Sequence, residues 1–209
     1  MIKILIADDH AVVRKGIKQI LIEEYPTAII TEVGDAEDLI KNVMTSNFDI
    51  VISDLNMPGR SGLDALQQIK KSHPQLPVLI LSVHAEEQYA IRILKAGGDG
   101  YLSKESAPVE LVNAVKRILL GKKYISQAVA EKLANNLSSN PGKQLQEYLS
   151  DREFDVMKLL ATGKSITEIA EMLSLSVTTV STYRSRLMLK MNLKTNADLT
   201  KYALENKLI

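Results

Sequence analysis

The sequence predicts an α/β fold, a five-stranded doubly wound parallel sheet, followed by a small all-α domain. Three observations carry this expectation: five short apolar runs, helical periodicity after each of them, and a C-terminal segment with four helix signals. Strands buried on both faces read as continuous Val/Ile/Leu stretches rather than as alternating patterns. Strand then helix, repeated five times, implies right-handed crossovers and a parallel sheet.

The apolar runs lie at residues 2–7, 28–33, 48–53, 77–81 and 100–103, the last being short. Helical periodicity spans 10–24, 35–45, 62–72, 85–96 and 108–120. After Gly121 a helix-like stretch at 126–137 precedes Ser138, Ser139, Asn140, Pro141, Gly142 and Lys143. Such a composition punctuates structure and suits a flexible tether, so a linker is expected near 138–148. Beyond it, Ser150 with Glu153 and Ser165 with Glu168 fit the capping box, and Gly163 stands where a helix end wants a left-handed residue. Helices are predicted at 151–162, 166–173, 177–191 with Ser176 as N-cap, and 196–206, with a tight turn between the second and third. The organisation expected is therefore 1–121, a helix and linker at 122–148, and a helical domain at 149–209.

With 45% hydrophobic residues among 209 the chain can build a core, and the absence of cysteine excludes disulfides and thiolate metal sites. No apolar stretch approaches the roughly 18 residues of a membrane span, which reads as a soluble, cytoplasmic chain without a membrane partner. The net charge of +1 hides an asymmetry. Acids outnumber bases in the first 120 residues, whereas no acid occurs between Glu171 and Asp198, a gap holding Arg184, Arg186, Lys190 and Lys194.

Asp8, Asp9, Asp54, Ser82 and Lys104 each fall at the carboxyl end of a predicted strand. Those ends converge on one edge of a parallel sheet, the edge where open α/β folds bind ligands. Carboxylates, a hydroxyl and an ammonium gathered there can hold Mg²⁺ and a phosphoryl group, with Asp9 and Asp54 as direct ligands, Asp8 acting through water, and Asp54 as the nucleophile. Lys104 would pair with phosphoryl oxygens and Ser82 would donate a hydrogen bond to another. Singly, each has a plainer explanation: Asp9 and Ser82 as helix N-caps, Lys104 as a solvated lysine. Four strand ends carrying the right chemical types together favour the site. His10, His73 and His84 form no metal cluster and are assigned surface or capping roles.

The helix at 177–191 presents Val177, Val180, Leu187 and Met191 as an apolar stripe bordered by Tyr183 and Arg184. Thr178, Ser181, Thr182 and Ser185 line another side at i, i+3, i+4 and i+7. A small hydroxylated face with basic margins can enter the DNA major groove, although a solvated amphipathic helix, or one that binds RNA or an acidic protein, would look much the same. In the last helix Leu199, Tyr202, Ala203 and Leu208 offer an apolar edge, either for a dimer contact or for packing the small domain.

Residues 1–120 resemble the receiver domain of two-component response regulators, which has a flavodoxin-like fold, through ADDH at 7–10, SDLNMPGRSG at 53–62, LSVHA at 81–85 and AGGDGYLSK at 96–104. The resemblance implies that Asp54 accepts phosphate, that Asp8 and Asp9 form the metal pocket, and that the Asn56 backbone carbonyl is a ligand. It further implies that Ser82 is the switch hydroxyl and Tyr101 its aromatic partner. Glu105 stands where many receivers have a cis proline after the lysine, and Ser82 where threonine is also common. Residues 149–206 resemble the LuxR-type helix-turn-helix, which makes the third helix the recognition helix. That resemblance implies Ser181, Thr182 and Ser185 facing bases and Arg184, Arg186 and Lys190 near phosphates; Ser181 and Tyr183 replace the lysine and histidine of many members.

Joined, the halves resemble NarL/FixJ-type response regulators. The resemblance implies a sensor histidine kinase, Mg²⁺, double-stranded DNA and the transcription machinery as partners, a homodimer when phosphorylated, and no enzymatic role beyond slow self-dephosphorylation. An aspartyl phosphatase of the haloacid dehalogenase type would need a second acid at position 56, where Asn56 stands. A phosphate-independent module would be expected to lose some of the acidic site, and a quorum-sensing regulator would lack it.

Overall fold

Each of the five apolar runs forms a strand in the computed structural model, which describes residues 1–57, 60–83, 86–126, 129–131, 145–206 and 208–209. The chain divides into two compact units, Met1–Ser138 and Ser139–Ile209. In the first, β1 (Lys3–Ala7), β2 (Ile29–Val33), β3 (Ile50–Asp54), β4 (Val78–Ser82) and β5 (Gly100–Ser103) alternate with α1 (Ala11–Glu24), α2 (Ala36–Thr45), α3 (Gly62–Ser72), α4 (Glu86–Lys95) and α5 (Ala107–Leu119). All pairings are parallel and the strand order is β2-β1-β3-β4-β5, so the direction of winding reverses after β2.

That reversal opens the carboxyl edge between β1 and β3. Alternate residues of the strands enter opposite layers. Ile4, Ile6, Ile50, Ile52, Leu79 and Leu81 pack against Ile17 and Leu21 of α1 and Leu111, Val115 and Ile118 of α5. Leu39 and Val43 of α2, Leu66 and Ile69 of α3 and Ile93 of α4 are equally buried. Central β3 and β4 are buried along their whole length, which is why their sequences read as unbroken apolar runs. Edge strand β2 is only half-buried.

Sequence reasoning passed over Asp99, which locks β4 to β5. Its Oδ2 accepts from the Val78 backbone N–H at 2.9 Å and from Lys70 Nζ at 2.7 Å, and its Oδ1 accepts from Lys123 Nζ at 2.9 Å. Burial raises this carboxyl, but the three donors outweigh it and hold the group below the ordinary carboxylate range.

In the second unit a 3-10 turn (Leu145–Tyr148) occupies the end of the expected tether, followed by α6 (Asp151–Ala161), α7 (Ile166–Met172), α8 (Val177–Met191) and α9 (Asn196–Glu205). Of the expected helix at 126–137, residues 129–131 are helical; the tether at 138–144 lies outside the described residues. Both predicted capping boxes form, and Ser176 caps α8 through the Thr179 N–H. Between α7 and α8, Ser174 adopts φ 54°, a left-handed conformation that glycine takes more readily. Val180, Leu187, Met188 and Met191 make the buried face of α8. Val177 is 49% exposed, contrary to expectation: it opens the helix ahead of the packed turns, and Met188 fills the core instead. Leu199, Ala203 and Leu208 are buried in their own unit, and the Tyr202 hydroxyl donates to Gln146 Oε1, so these residues pack the domain rather than form an outward edge.

Asp99→Asn should destabilise the first unit by about 1–2 kcal/mol at neutral pH, judged by urea unfolding. Because folding lowers the affinity of Asp99 for a proton, its contribution is complete at neutral pH and fades as pH falls below about 4. The variant and the parent should therefore converge in stability in acid.

Candidate functional site

The carboxyl ends of β1, β3 and β5 bring three of the predicted residues into one cluster. Asp8 follows β1, Asp54 ends β3, and Lys104 follows β5. Lys104 Nζ lies 2.7 Å from Asp54 Oδ2 and 2.7 Å from Asp8 Oδ2, so one ammonium bridges two carboxylates. Both acids are buried and the lysine side chain is only 15% exposed. Lys104 is thus no ordinary solvated lysine.

Burial pushes the Asp54 carboxyl up; the Lys104 bond pulls it back without cancelling the effect, and the neighbouring Asp8 adds to it. Burial alone would weaken the hold of Lys104 on its proton, but the bonds to Asp54 and Asp8 outweigh it, and its affinity rises.

The plainer explanation for Asp9 does not hold: His10, not Asp9, occupies the N-cap position of α1. Ser82 ends β4 fully buried beside Ser103 of β5, and its carbonyl accepts from the Lys104 N–H at 2.8 Å. Tyr101 is fully buried in β5 opposite Ile80. The Asn56 N–H donates to Asp54 Oδ1 at 3.3 Å, which brings the 56 backbone over the carboxylate.

Arg14 and Gly62 were not singled out by sequence reasoning, and His10, expected only in a surface or capping role, stands within reach of the same acids. His10 Nδ1 lies 2.7 Å from Asp9 Oδ1 and joins Asp8, Asp9 and Asp54 in a set whose potential ligand atoms all fall within 4.8 Å. Arg14 Nη1 donates to the Asp8 carbonyl at 2.5 Å, holding the end of β1 from α1. Gly62 opens α3 so close to β3 that a Cβ there would lie 1.9 Å from the Asp54 carbonyl oxygen. A glycine that quotes as part of a loop motif gives no hint of this approach; only the strand-to-helix spacing reveals it.

Mg²⁺ suits the donor set. Asp8, Asp9 and Asp54 bring three negative charges against the single positive charge of Lys104, and hard carboxylate oxygens in a small radius are what a small divalent cation takes.

On α8, Thr178, Thr182, Ser185 and Arg186 are exposed, whereas Ser181 and Arg184 are half-buried. The hydroxyls of Ser181, Thr182 and Ser185 donate to the carbonyls of Val177, Thr178 and Ser181 at 2.9, 2.9 and 3.0 Å. Arg184 Nε and Nη2 donate to Asn196 Oδ1, at the start of α9. Lys190 Nζ lies 2.6 Å from Oε2 of Glu153, which is 2% exposed and also closes the α6 capping box. Burial raises the Glu153 carboxyl, but Lys190 and Ser150 together lower it below its usual range. Lys190 therefore ties α8 to α6. Arg186 makes no ion pair among the described residues.

Residues 4–116 match the model of the response regulator receiver domain, and residues 147–203 match that of bacterial regulatory proteins of the luxR family. The chain is 35% identical over 210 residues to the response regulator UvrY of Escherichia coli K12, covering 100% of this chain and 96% of that one. It is 36% identical to the oxygen regulatory protein NreC of Staphylococcus carnosus, covering 99% of each. The solved complex of the two-component response regulator RcsB with DNA matches with a TM-score of 0.58 at 28% identity, covering 96% of both chains. RcsB of Salmonella enterica serovar Typhimurium, bound to promoter rprA in the presence of the phosphomimetic BeF3-, gives 0.57 at 28%, covering 97% and 98%.

Gly62→Ala should cost about 1–3 kcal/mol of stability, because the added methyl must displace the backbone at Asp54. Thermal unfolding would measure the loss, and an unchanged midpoint would contradict the close approach.

Proposed function

Because the chain belongs to the response regulators that join a receiver domain to a LuxR-type DNA-binding domain, we propose that phosphorylation of Asp54 by a sensor histidine kinase controls its grip on promoter DNA. The observation that supports this most is the Lys104 ammonium held between Asp8 and Asp54, which gathers the charges of phosphoryl transfer at one sheet edge. Residues 1–121 act as the phospho-acceptor, 122–148 as the connector and 149–209 as the DNA reader.

An Asp54 carboxylate oxygen attacks the phosphorus of a phosphohistidine on the kinase. The new O–P bond forms as the N–P bond breaks, and the electron pair left on the imidazole nitrogen takes a proton from solvent. Asp8, Asp9, Asp54 and the Asn56 carbonyl would hold Mg²⁺, which when bound offsets charge on the transferring group. Lys104 turns from its two carboxylates to a phosphoryl oxygen, and the Ser82 hydroxyl donates to another. Asn56 offers no general acid or base, so the acyl phosphate persists as a signal instead of turning over. Such a chain serves as a regulator in the cytoplasm rather than as a catalyst, and no described helix is long and apolar enough to cross a membrane.

In the reader, α8 enters the major groove with Thr178, Ser181, Thr182 and Ser185 toward base edges, and Arg184 and Arg186 beside phosphates. Lys190 reaches a phosphate only by loosening its bond to Glu153. Two copies bind paired half-sites about one helical turn apart, and the bound dimer acts on the transcription machinery.

Incubation with acetyl phosphate and Mg²⁺ should label the protein, and Asp54→Asn should abolish both the label and any stimulation of DNA binding. Labelling that persists in this variant would remove Asp54 from its role. Arg186→Ala should weaken binding on every sequence and lower the slope of log affinity against log salt by about 1. A changed sequence preference with the slope intact would instead place Arg186 on a base.

A further inference from the structure

The chain leaving α5 does not swing free at Gly121. The Tyr124 N–H donates to the Asp99 carbonyl at 2.9 Å, and the Tyr124 carbonyl accepts from the Tyr101 N–H at 3.2 Å, so Tyr124 forms a parallel bridge to Gly100 on the open edge of β5. Lys123 Nζ donates to the Gly98 carbonyl at 2.7 Å and to Asp99 Oδ1 at 2.9 Å. The Tyr124 hydroxyl donates to Glu110 Oε2 on α5 at 2.6 Å, and the Arg117 guanidinium stands 5.9 Å above its ring. Tyr124 is 7% exposed and joins the core between β5 and α5. The strand is shaped to admit it: a Cβ at Gly100 would lie 3.0 Å from the Tyr124 carbonyl oxygen.

We infer that residues 123–124 are a clasp that reads the position of β5 and passes it to the connector, making Tyr124 a positioning residue for the response to phosphorylation. This rests on the function proposed above. One edge of β5 pairs with β4, where Ser82 stands opposite Ser103, and its other edge holds Tyr124 through the N–H of Tyr101. Tyr101 is fully buried, and close-packed interiors move between discrete arrangements rather than yielding gradually. A rearrangement of Ser82 and Tyr101 around the phosphoryl group therefore shifts β5 as a unit. Tyr124 follows, because its main chain is bonded to β5 and its phenol to α5. The effect reaches the second unit as a changed starting point of the connector. Coupling of this kind requires only that the clasp differ in free energy between the two states.

The test uses the full chain and its selected DNA, with affinity measured before and after acetyl phosphate treatment. Tyr124→Phe removes the bond to Glu110, and Lys123→Ala removes the bonds to Gly98 and Asp99. In each variant the ratio of phosphorylated to unphosphorylated affinity should fall by about fivefold, the order expected of one hydrogen bond. The rate and extent of labelling at Asp54 should stay close to those of the parent, while the thermal midpoint of the first unit falls by only a few degrees, as the loss of one or two hydrogen bonds requires. Parent-like ratios in both variants, with the parent responding to phosphate, overturn the clasp and leave the proposed function standing. Slowed labelling also overturns it, since Tyr124 would then support the acidic site instead of its output. A parent whose affinity ignores the phosphoryl group defeats the proposed function, and the clasp's role falls with it.

Discussion

One ammonium between two buried carboxylates organises the first unit. Like charges this close repel strongly in a poorly solvated edge, and Lys104 is the group that makes the arrangement tolerable. The requirement is stringent because breaking a buried pair by removing one partner leaves an uncompensated charge. Yet the bridge is incomplete as a neutraliser, since Asp9 at the rim adds a further negative charge. The same geometry that satisfies folding thus keeps an appetite for cations, and the strand order, with its reversal after β2, places that appetite where a ligand can reach it.

The second unit solves a different problem. Its helices are short, and α7 runs only from Ile166 to Met172, so intrinsic propensity cannot hold them. Serine and threonine caps at Ser150, Ser165, Ser176 and Thr195 satisfy the first-turn N–H groups, and a core of Phe154, Ile169, Val180, Leu187 and Leu199 supplies the rest. The Glu153 carboxylate serves two elements at once, closing the α6 cap and anchoring Lys190 of α8. Held by the scaffold at its C-terminal end and by Asn196 through Arg184, α8 presents its side chains with little freedom to wander.

Much of this was legible in the sequence because buried parallel strands and capped helices write themselves in local patterns. The five runs gave five strands to within a residue or two, and the strand-end rule brought Asp8, Asp54, Ser82 and Lys104 to one edge. What escaped depends on distance in space rather than on pattern. Asp99 looks like any loop acid until Lys70 and Lys123 arrive from elsewhere. Gly62 reads only as the start of a helix until α3 is seen pressed against β3. Tyr124 fell within the expected connector because a single-residue bridge leaves no periodic trace. Val177 was misplaced, and Leu199, Tyr202, Ala203 and Leu208 were left open between packing and a dimer contact, for a related reason: a helical stripe shows which residues share a face without showing which neighbour covers it.

The wide separation of Asp8, Asp54 and Lys104 along the chain has a consequence for how the molecule comes into being. The Lys104–Asp54 bond joins residues 50 apart, and Asp8 lies a further 46 upstream. During synthesis both acids emerge before the ammonium that bridges them, so any pairing of β1 with β3 that precedes Lys104 is made with these carboxylates uncompensated. Closure of the sheet by its final strand is thereby an electrostatic event as much as a hydrophobic one. A nascent chain that stops short of residue 104 lacks the charge that reconciles its own interior.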